Sequence, residues 1–247
     1  MRDPIPSDNL LKDIPDFKGF PKEAGRFFAG LALHNERPWF DAHRAEYEAH
    51  VLGPMRAFVV AVGQRLRKKI PKLVADPRVG GSVMRIARDT RFSGDKSPYK
   101  TWIAAHLRDG SAPSKDLSAG FYIHVDAGEV YAGGGIYMFE DDQLVRFRRA
   151  LDDPKMLKGL RAILGKLDDF AISGETLKRT PRGFAADHPA GELLLHKGLY
   201  AGTNLDLRRA RTVAALDDAS KVYDQLVPLH RWLMQHVVLS PSAPRES

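Results

Sequence analysis

The sequence predicts an α+β fold: a single domain in which N-terminal and C-terminal helices cover a central antiparallel sheet. Three observations predict it. Apolar residues recur at helical spacing in the first third of the chain, they alternate with polar residues in the middle, and the helical spacing returns in the last third. Strands and helices do not alternate along the chain, so a parallel sheet is not expected.

Helices are predicted for the first third. Pro21 opens a helical pattern whose apolar side is formed by four residues: Phe27, Phe28, Leu31 and Leu33. Asn35 is predicted to cap the next helix, because its side-chain oxygen accepts a bond from a backbone N–H group that has no partner inside the helix. Gly53 and Pro54 are predicted to restart the chain, and the helix that follows is predicted to end at Pro71.

Strands are predicted for the middle of the chain. An extended segment over 83–88 and a strand over 101–108 precede the clearest alternation, over 119–126. There the side chains face opposite ways: Phe121, Ile123 and Val125 on one side, Tyr122, His124 and Asp126 on the other. A turn at 127–129 leads to a partner strand over 130–139. Its glycines at 133–135 are typical of a flattened or bulged strand, or of a place where another group approaches the backbone closely.

Helices and one more strand are predicted for the last third. Asp141 or Asp142 is predicted to cap one helix, and Asp153 with Pro154 to start the next. A strand is predicted over 196–203. A long amphipathic helix is predicted over 212–238, with Val213 on its apolar side. Pro228 is expected to kink this helix.

The predicted domain covers 17–239, between a flexible tail at 1–16 and a disordered tail at 240–247. The 247 residues carry a net charge of +7 and no cysteine, which excludes disulfides and thiolate metal sites. The sequence shows neither the apolar core of a secretory signal nor a run near the ~20 apolar residues of a membrane helix. We therefore expect a cytoplasmic, bacterial protein with no membrane partner. The positive charge favours acidic partners, such as phosphates or nucleic acid.

The most informative stretch is RIARDTRFSGDKSPYK, residues 85–100. Its cations outnumber its acids by three: Arg85, Arg88, Arg91, Lys96 and Lys100 against Asp89 and Asp95. Such a segment is either a loop held together by internal ion pairs or a site for an anion. The surplus favours the anion site, because a purely structural network has no need of unpaired cations.

Each residue of this motif has a predicted role at such a site. The three arginines orient a phosphate or carboxylate, and Lys96 neutralises it. Asp89 fixes the direction of a neighbouring guanidinium, and Tyr99 donates a hydrogen bond to the ligand. The predicted ligand-binding residues of the motif are Arg85, Arg88, Asp89, Arg91, Lys96 and Tyr99.

A second charged segment, LKRTPRGFAADHP at 177–189, contributes Arg179 and Arg182 to the predicted ligand-binding residues. One interpretation is a surface loop whose charges are solvated. The other is a loop that folds back beside the first motif and completes one basic cleft, since long irregular connections in compact domains are often functional.

The residues do not define a reaction. If chemistry occurs, the proton carriers available are Lys96, Tyr99 and His124. A hydrogen-bonded structural role is the alternative for His124. SGDKS lacks the glycine spacing of a P-loop, no serine nucleophile motif occurs, and the nine histidines have no HExxH-type spacing. The sequence therefore assigns neither a metal site nor a cofactor.

The motif resembles the signature of a bacterial family called domain of unknown function 2461, R-x-x-R-D-x-R-F-x-x-x-[D/N]-K-x-x-Y. The matching residues are Arg85, Arg88, Asp89, Arg91, Phe92, Asp95, Lys96 and Tyr99. The opening FKGFP at 17–21 and the segment at 177–189 are also similar to the family. The resemblance implies one domain over most of the chain and no known activity.

The sequence therefore favours a protein that binds a small anionic ligand carrying a phosphate or a carboxylate. Two alternatives stay open. One is a nucleic-acid-binding module that uses the overall positive surface, and the other is a non-catalytic scaffold in which the motif only holds the fold.

Overall fold

A computed structural model describes residues 13–240 of the chain. Most of the two predicted tails, 1–12 and 241–247, lies outside the described residues. The remaining chain confirms the α+β class and the antiparallel sheet. The predicted domain bounds stay a prediction.

The helices follow the chain in two groups, before and after the first strands. They are α1 (Lys22–Leu33), α2 (Arg37–Ala42), α3 (Arg44–Tyr47), α4 (Gly53–Leu66), α5 (Asp141–Asp152), α6 (Pro154–Leu164), α7 (Leu207–Ala210) and α8 (Ala214–Leu233). Glu48–Leu52 and Met234–Val238 are π-helical, and Gly191–Leu195 is a 3-10 helix.

The six strands form one sheet in the order β1-β2-β3-β4-β6-β5. They are β1 (Leu73–Val74), β2 (Ile103–Asp109), β3 (Gly120–Val125), β4 (Val130–Ile136), β5 (Ala171–Ser173) and β6 (Leu199–Asn204). The strands β3 and β4 form the predicted hairpin, whose turn begins where the Asp126 N–H donates to the Glu129 carbonyl. β5 pairs antiparallel with β6.

Residues 13–108, 122–132 and 204–222 form one compact unit, here called the first unit. Its core is aromatic, and the rings of Phe17, Phe20 and Phe58 lie 5.1–5.3 Å apart. Helix α1 contacts the β3–β4 turn, where a β-carbon on Gly25 would lie 3.1 Å from the Ala127 carbonyl oxygen. The N-terminal helices of this unit therefore pack on its strands, as predicted.

Residues 109–121, 133–203 and 223–240 form the second unit. In its core the ring of Phe121 on β3 packs against Tyr223 and His230 of α8, at 5.3 and 5.1 Å. The C-terminal helix therefore covers the strands of this unit, as predicted. His230 is 2% exposed, and its Nε2 lies 3.2 Å from Oδ2 of Asp109.

The alternation predicted for β3 is confirmed, since Phe121, Ile123 and Val125 are buried while Tyr122 and His124 are half-buried. The close approach predicted for the glycines of β4 is confirmed at Gly135. Its φ is +134°, and a β-carbon there would lie 2.3 Å from the Leu199 carbonyl oxygen of β6.

Two residues predicted to be buried are exposed. Leu33 is 80% exposed, because it follows the buried Leu31 by two positions and is therefore rotated by about 200° around α1. Val213 is 57% exposed, because it precedes the first residue of α8 and does not belong to the helix.

Two predicted caps and one predicted break are also wrong. Helix α2 is preceded by Glu36, and the side chain of Asn35 bonds to Tyr99 instead. Glu140 rather than Asp141 or Asp142 caps α5, and its N–H donates to Oε1 of Gln143. The chain does not break at Gly53, because the π-helical turn runs directly into α4. The Asp153 cap is confirmed, with bonds of 2.8 and 2.9 Å from the N–H groups of residues 155 and 156.

The sequence pattern did not predict the short strands β1 and β5 or the helix α7. The extended segment at 83–88 forms no regular strand, but it makes isolated antiparallel bridges to 105 and 99. Within residues 13–240, no helix combines the length and the apolar character needed to cross a bilayer.

Candidate anion-binding site

The basic motif is a loop of the first unit, closed at its base by backbone pairing. Arg88 N–H donates to the Pro98 carbonyl at 2.9 Å, and Lys100 N–H donates to the Ile86 carbonyl at 2.8 Å. Ala87 and Tyr99 form an antiparallel bridge between these bonds. The loop over 89–97 thus projects from a short two-stranded ribbon.

Both acids of the loop are used to hold two of its arginines. Asp89 accepts a bidentate pair of bonds from Arg91, at 3.0 Å from Nε and 2.7 Å from Nη2. Asp95 accepts from Arg88 and also from the N–H and hydroxyl of Ser97. The bonds from Arg91 lower the pKa of Asp89, and those from Arg88 and Ser97 lower the pKa of Asp95. Both acids therefore stay ionised at neutral pH.

The surplus positive charge is thereby located on three residues, Arg85, Lys96 and Lys100. In the described part of the chain none of the three forms an ion pair with a carboxylate. Lys96 is exposed and donates to the Thr90 carbonyl at 2.9 Å. Burial lowers the pKa of Lys100, and the nearby positive charge of Arg85 lowers it further. Within residues 13–240 Arg85 makes no ion pair, although its charge helps to lower the pKa of the nearby Asp89, and Lys100 has no carboxylate partner.

The ring and the backbone of Tyr99 are held by other residues of the first unit, so Tyr99 does not project from the loop. Its ring stacks on Phe40 with centroids 4.3 Å apart. Its backbone N–H donates to the Asn35 amide oxygen at 3.0 Å, and its carbonyl accepts from the Asn35 amide nitrogen at 2.9 Å. This packing fixes the position from which Lys100 and Trp102 leave the ribbon.

A line of contacts joins these cations to the polar side of β3. Nζ of Lys100 lies 4.7 Å from the centroid of the Trp102 ring, in the range of a cation–π contact. The Trp102 ring lies 5.2 Å from the ring of His124. Lys100, Trp102 and His124 are therefore successive half-buried neighbours on one surface of the first unit, and the charge of the exposed Arg85 acts on Lys100.

His124 is engaged at both ring nitrogens. Nδ1 lies 3.4 Å from the Tyr122 hydroxyl, and Nε2 lies 3.2 Å from Oδ2 of Asp126. A general base needs a free nitrogen to accept a proton from a ligand. His124 therefore acts as a base only if one of these contacts opens.

The turn beyond β3 brings two carboxylates beside His124. Burial alone would raise the pKa of Asp126, but bonds from the Gly128 and Glu129 N–H groups and from His124 lower it overall. Glu129 accepts from the Asn204 amide at 3.2 Å. Both carboxylates line an open cavity of about 450 Å³ between α1 and the turn. This end of the polar surface is acidic, whereas the Arg85 end is basic.

Arg179 and Arg182 belong to the second unit, in the irregular segment before the 3-10 helix. Both are exposed, and neither forms an ion pair within residues 13–240. Their predicted place in a basic cleft stays a prediction.

Sequence reasoning did not select Lys100 or Trp102 as site residues. Trp102 lies two residues beyond the end of the motif and was given no role. The signal that finds them is their spacing of two, which puts both on one side of an extended segment that enters β2.

The chain matches the family model described as conserved hypothetical protein (DUF2461) over residues 23–232, more than half of its length. This match confirms the family resemblance predicted from the sequence. Neither the curated proteins nor the solved structures include a match to the chain.

Proposed function

Because the chain belongs to the family described as conserved hypothetical protein (DUF2461), and this description assigns no reaction, we propose a function from the geometry of the site. The protein binds a small anionic ligand that carries a phosphate or a carboxylate. Arg85 and Lys100 hold the anionic group, and the Trp102 ring supports the remainder of the ligand.

The observation that carries this proposal is the distribution of counter-ions in the motif. The two acids of the loop form ion pairs with Arg88 and Arg91, whereas within residues 13–240 Arg85 and Lys100 form no ion pair with a carboxylate and the charge of Arg85 acts on Lys100. Two neighbouring cations repel each other, and half-burial of Lys100 adds a desolvation cost. An anion bound between them relieves both costs, which gives it a favourable binding energy.

The proposal divides the predicted ligand residues into two roles. Arg88, Arg91 and Asp89 build the loop, because their charges are satisfied by partners within it. Lys96 adds positive charge at the rim, and Tyr99 positions the strand that carries Lys100. Arg85 and Lys100 remain as the groups that contact the ligand.

The nucleic-acid alternative makes a different prediction for the same surface. Half-exposed aromatic rings beside cations also suit the stacking of single-stranded bases. Binding of that kind loses affinity steeply when salt rises from about 50 to 200 mM, because phosphate contacts release counter-ions. On this alternative, the protein binds a small phosphorylated anion no more tightly than a simple salt anion of the same charge.

We expect pyrophosphate to stabilise the full chain against thermal unfolding. At about 100 times its dissociation constant, a ligand adds about 2.7 kcal/mol to the free energy of unfolding. Arg85→Ala and Lys100→Ala each remove one charge-assisted contact worth about 1.5–3 kcal/mol, so each weakens binding at least about tenfold. Thermal shift and isothermal titration with pyrophosphate measure both effects.

Arg65→Ala is the matched control, because it removes the same charge from an arginine of the first unit that is paired with Asp217 at 2.6 Å. It is expected to bind pyrophosphate like the wild type. Equal weakening by Arg65→Ala shows that only net charge matters, and this result contradicts the site. A wild-type protein that responds to an oligonucleotide but to no small anion favours the nucleic-acid alternative.

A further inference from the structure

Three donor side chains converge at the end of the β3–β4 hairpin in the first unit. Nε2 of His124 lies 3.2 Å from Oδ2 of Asp126 and 4.0 Å from Oε1 of Glu129. One donor atom from each residue lies within 4.8 Å of the other two. We propose that these three atoms bind a divalent first-row transition cation of the Zn²⁺ or Mn²⁺ class.

The donor set determines the class of ion. An imidazole nitrogen suits zinc, iron, copper and nickel, whereas carboxylate oxygens also suit manganese. One histidine with two carboxylates makes three protein ligands, and three ligands with an open position are typical of a catalytic rather than a structural metal site. Around a tetrahedral ion with bonds of about 2.1 Å, donor atoms lie about 3.4 Å apart. The 3.2 Å between His124 and Asp126 already fits this geometry, whereas the 4.0 Å between His124 and Glu129 must shorten by about 0.6 Å.

The polar atoms that face away from this centre are held by other groups. They are bound by the Tyr122 hydroxyl at His124 Nδ1, the Gly128 and Glu129 N–H groups at Asp126 Oδ1, and the Asn204 amide at Glu129 Oε2. Second partners of this kind orient the ligands of metal sites and fix the histidine tautomer. The atoms left to bind an ion are those that point at one another.

The cluster differs from the ordinary histidine–carboxylate contacts of this chain. His188 contacts Asp152 at 3.1 Å, and His230 contacts Asp109 at 3.2 Å, each with one carboxylate. Over residues 13–240, the His124 cluster is the group in which three such donors meet. A histidine with a purely structural role needs one acidic partner. Here a second acid, Glu129, also lies beside the histidine, and the Asn204 amide holds it in place.

The position also allows an ion to enter. The His124 side chain is 16% exposed, whereas those of Asp126 and Glu129 are 32% and 46% exposed. The two carboxylates line the open cavity of about 450 Å³. The proposed metal site shares no residue with the proposed anion contacts, Arg85, Lys100 and Trp102, so the two proposals can fail separately.

Isothermal titration of the chelator-treated full chain with Zn²⁺, and separately with Mn²⁺, tests the proposal. We expect one ion per chain for at least one of the two metals. Glu129→Gln keeps the size and the Asn204 contact of the side chain, and it should weaken binding at least tenfold. His124→Ala should do the same, and Asn204→Ala should weaken binding about 10–100-fold through the orientation of Glu129.

His188→Ala is the control, since it removes a half-buried histidine whose ring contacts a single carboxylate. Its affinity should equal that of the wild type. Circular dichroism checks that each variant is folded, and the isosteric Glu129→Gln keeps the test valid if His124→Ala does not fold. The proposal is overturned if neither metal binds, or if Glu129→Gln binds both as tightly as the wild type.

Discussion

Replacing Gly135 with alanine is expected to destabilise the protein by about 3 kcal/mol or more, from strained backbone and overpacking together. The residue has a φ of +134°, which residues with a side chain rarely adopt. A β-carbon would also lie 2.3 Å from the Leu199 carbonyl oxygen and 2.6 Å from Cα of Tyr200. Both obstacles are backbone atoms of β6, so they cannot move aside without breaking the pairing of β4 with β6. The midpoint of urea denaturation measures the loss.

Gly159→Ala provides the matched control for this prediction. Gly159 lies inside α6, and apart from its own stretch of helix backbone no atom of residues 13–240 lies within 4 Å of the place where its β-carbon would be. Alanine there should stabilise the helix by about 0.5–1 kcal/mol. If Gly135→Ala unfolds at the same urea concentration as the wild type, the described contact between β4 and β6 is wrong.

Asp109→Ala is expected to cost about 3–5 kcal/mol, because it removes one partner of a buried pair. His230 is 2% exposed, and among residues 13–240 Nδ1 of its ring has no hydrogen-bond partner. Without Asp109, Nε2 also loses its contact at 3.2 Å. The Ser111 N–H, which donates to Oδ1 of Asp109 at 2.8 Å, loses its partner too. Chemical denaturation at neutral pH measures the change in the free energy of unfolding.

The same pair makes stability depend on acid pH. Burial alone would raise the pKa of Asp109, but the bonds from His230 and Ser111 lower it to about 2, below the value of 3.8 for an unperturbed group. A group whose pKa is lower in the folded state stabilises the fold above its unfolded pKa, and this contribution is lost as the pH falls through the folded pKa. We therefore expect about 2 kcal/mol to be lost between pH 4 and pH 2.

Asp109→Asn keeps the shape of the side chain and removes the charge. Over the same acid range, the free energy of unfolding of this variant should fall less than that of the wild type. Equal slopes for the two proteins contradict the assigned pKa, whatever the cost of the substitution at neutral pH.

The parts of the fold that the sequence predicts are those in which local pattern and burial agree. On β3 the buried Phe121 and Ile123 alternate with the half-buried Tyr122, because a strand turns every second side chain to the same face. Val213 was mispredicted because hydrophobicity alone does not show where a helix begins, and Leu33 because the helical period turns it away from the buried Leu31. Asn35 was mispredicted because its partner, Tyr99, is remote in sequence.

The candidate site was predictable in location but not in detail. Sequence counts established that the motif holds more cations than acids, but they do not say which cations the acids neutralise. That depends on the loop, in which Asp95 reaches Arg88 and Asp89 reaches Arg91. The neighbours of Lys100 likewise depend on how the ribbon enters β2, which brings Trp102 beside His124. Such pairings are made by tertiary structure.

We propose that an anion binds between Arg85 and Lys100, beside Trp102, and not at the paired arginines of the loop. The chain contains three tryptophans, so its indole N–H groups give three signals in a ¹H–¹⁵N spectrum. Trp232 donates to the Met156 carbonyl, and Trp39 stacks on His43, which gives two internal references. Single Trp→Phe variants assign the signals.

Titration of pyrophosphate into the ¹⁵N-labelled full chain tests where the anion binds. We expect the Trp102 indole signal to shift in a saturable manner while those of Trp39 and Trp232 stay in place. In Lys100→Ala the midpoint of this shift should move to a pyrophosphate concentration at least about tenfold higher. Binding between Arg85 and Lys100 is contradicted by either of two results. One is a saturable change at the backbone amides of Arg91 and Phe92 with no change at Trp102, and the other is no saturable change anywhere.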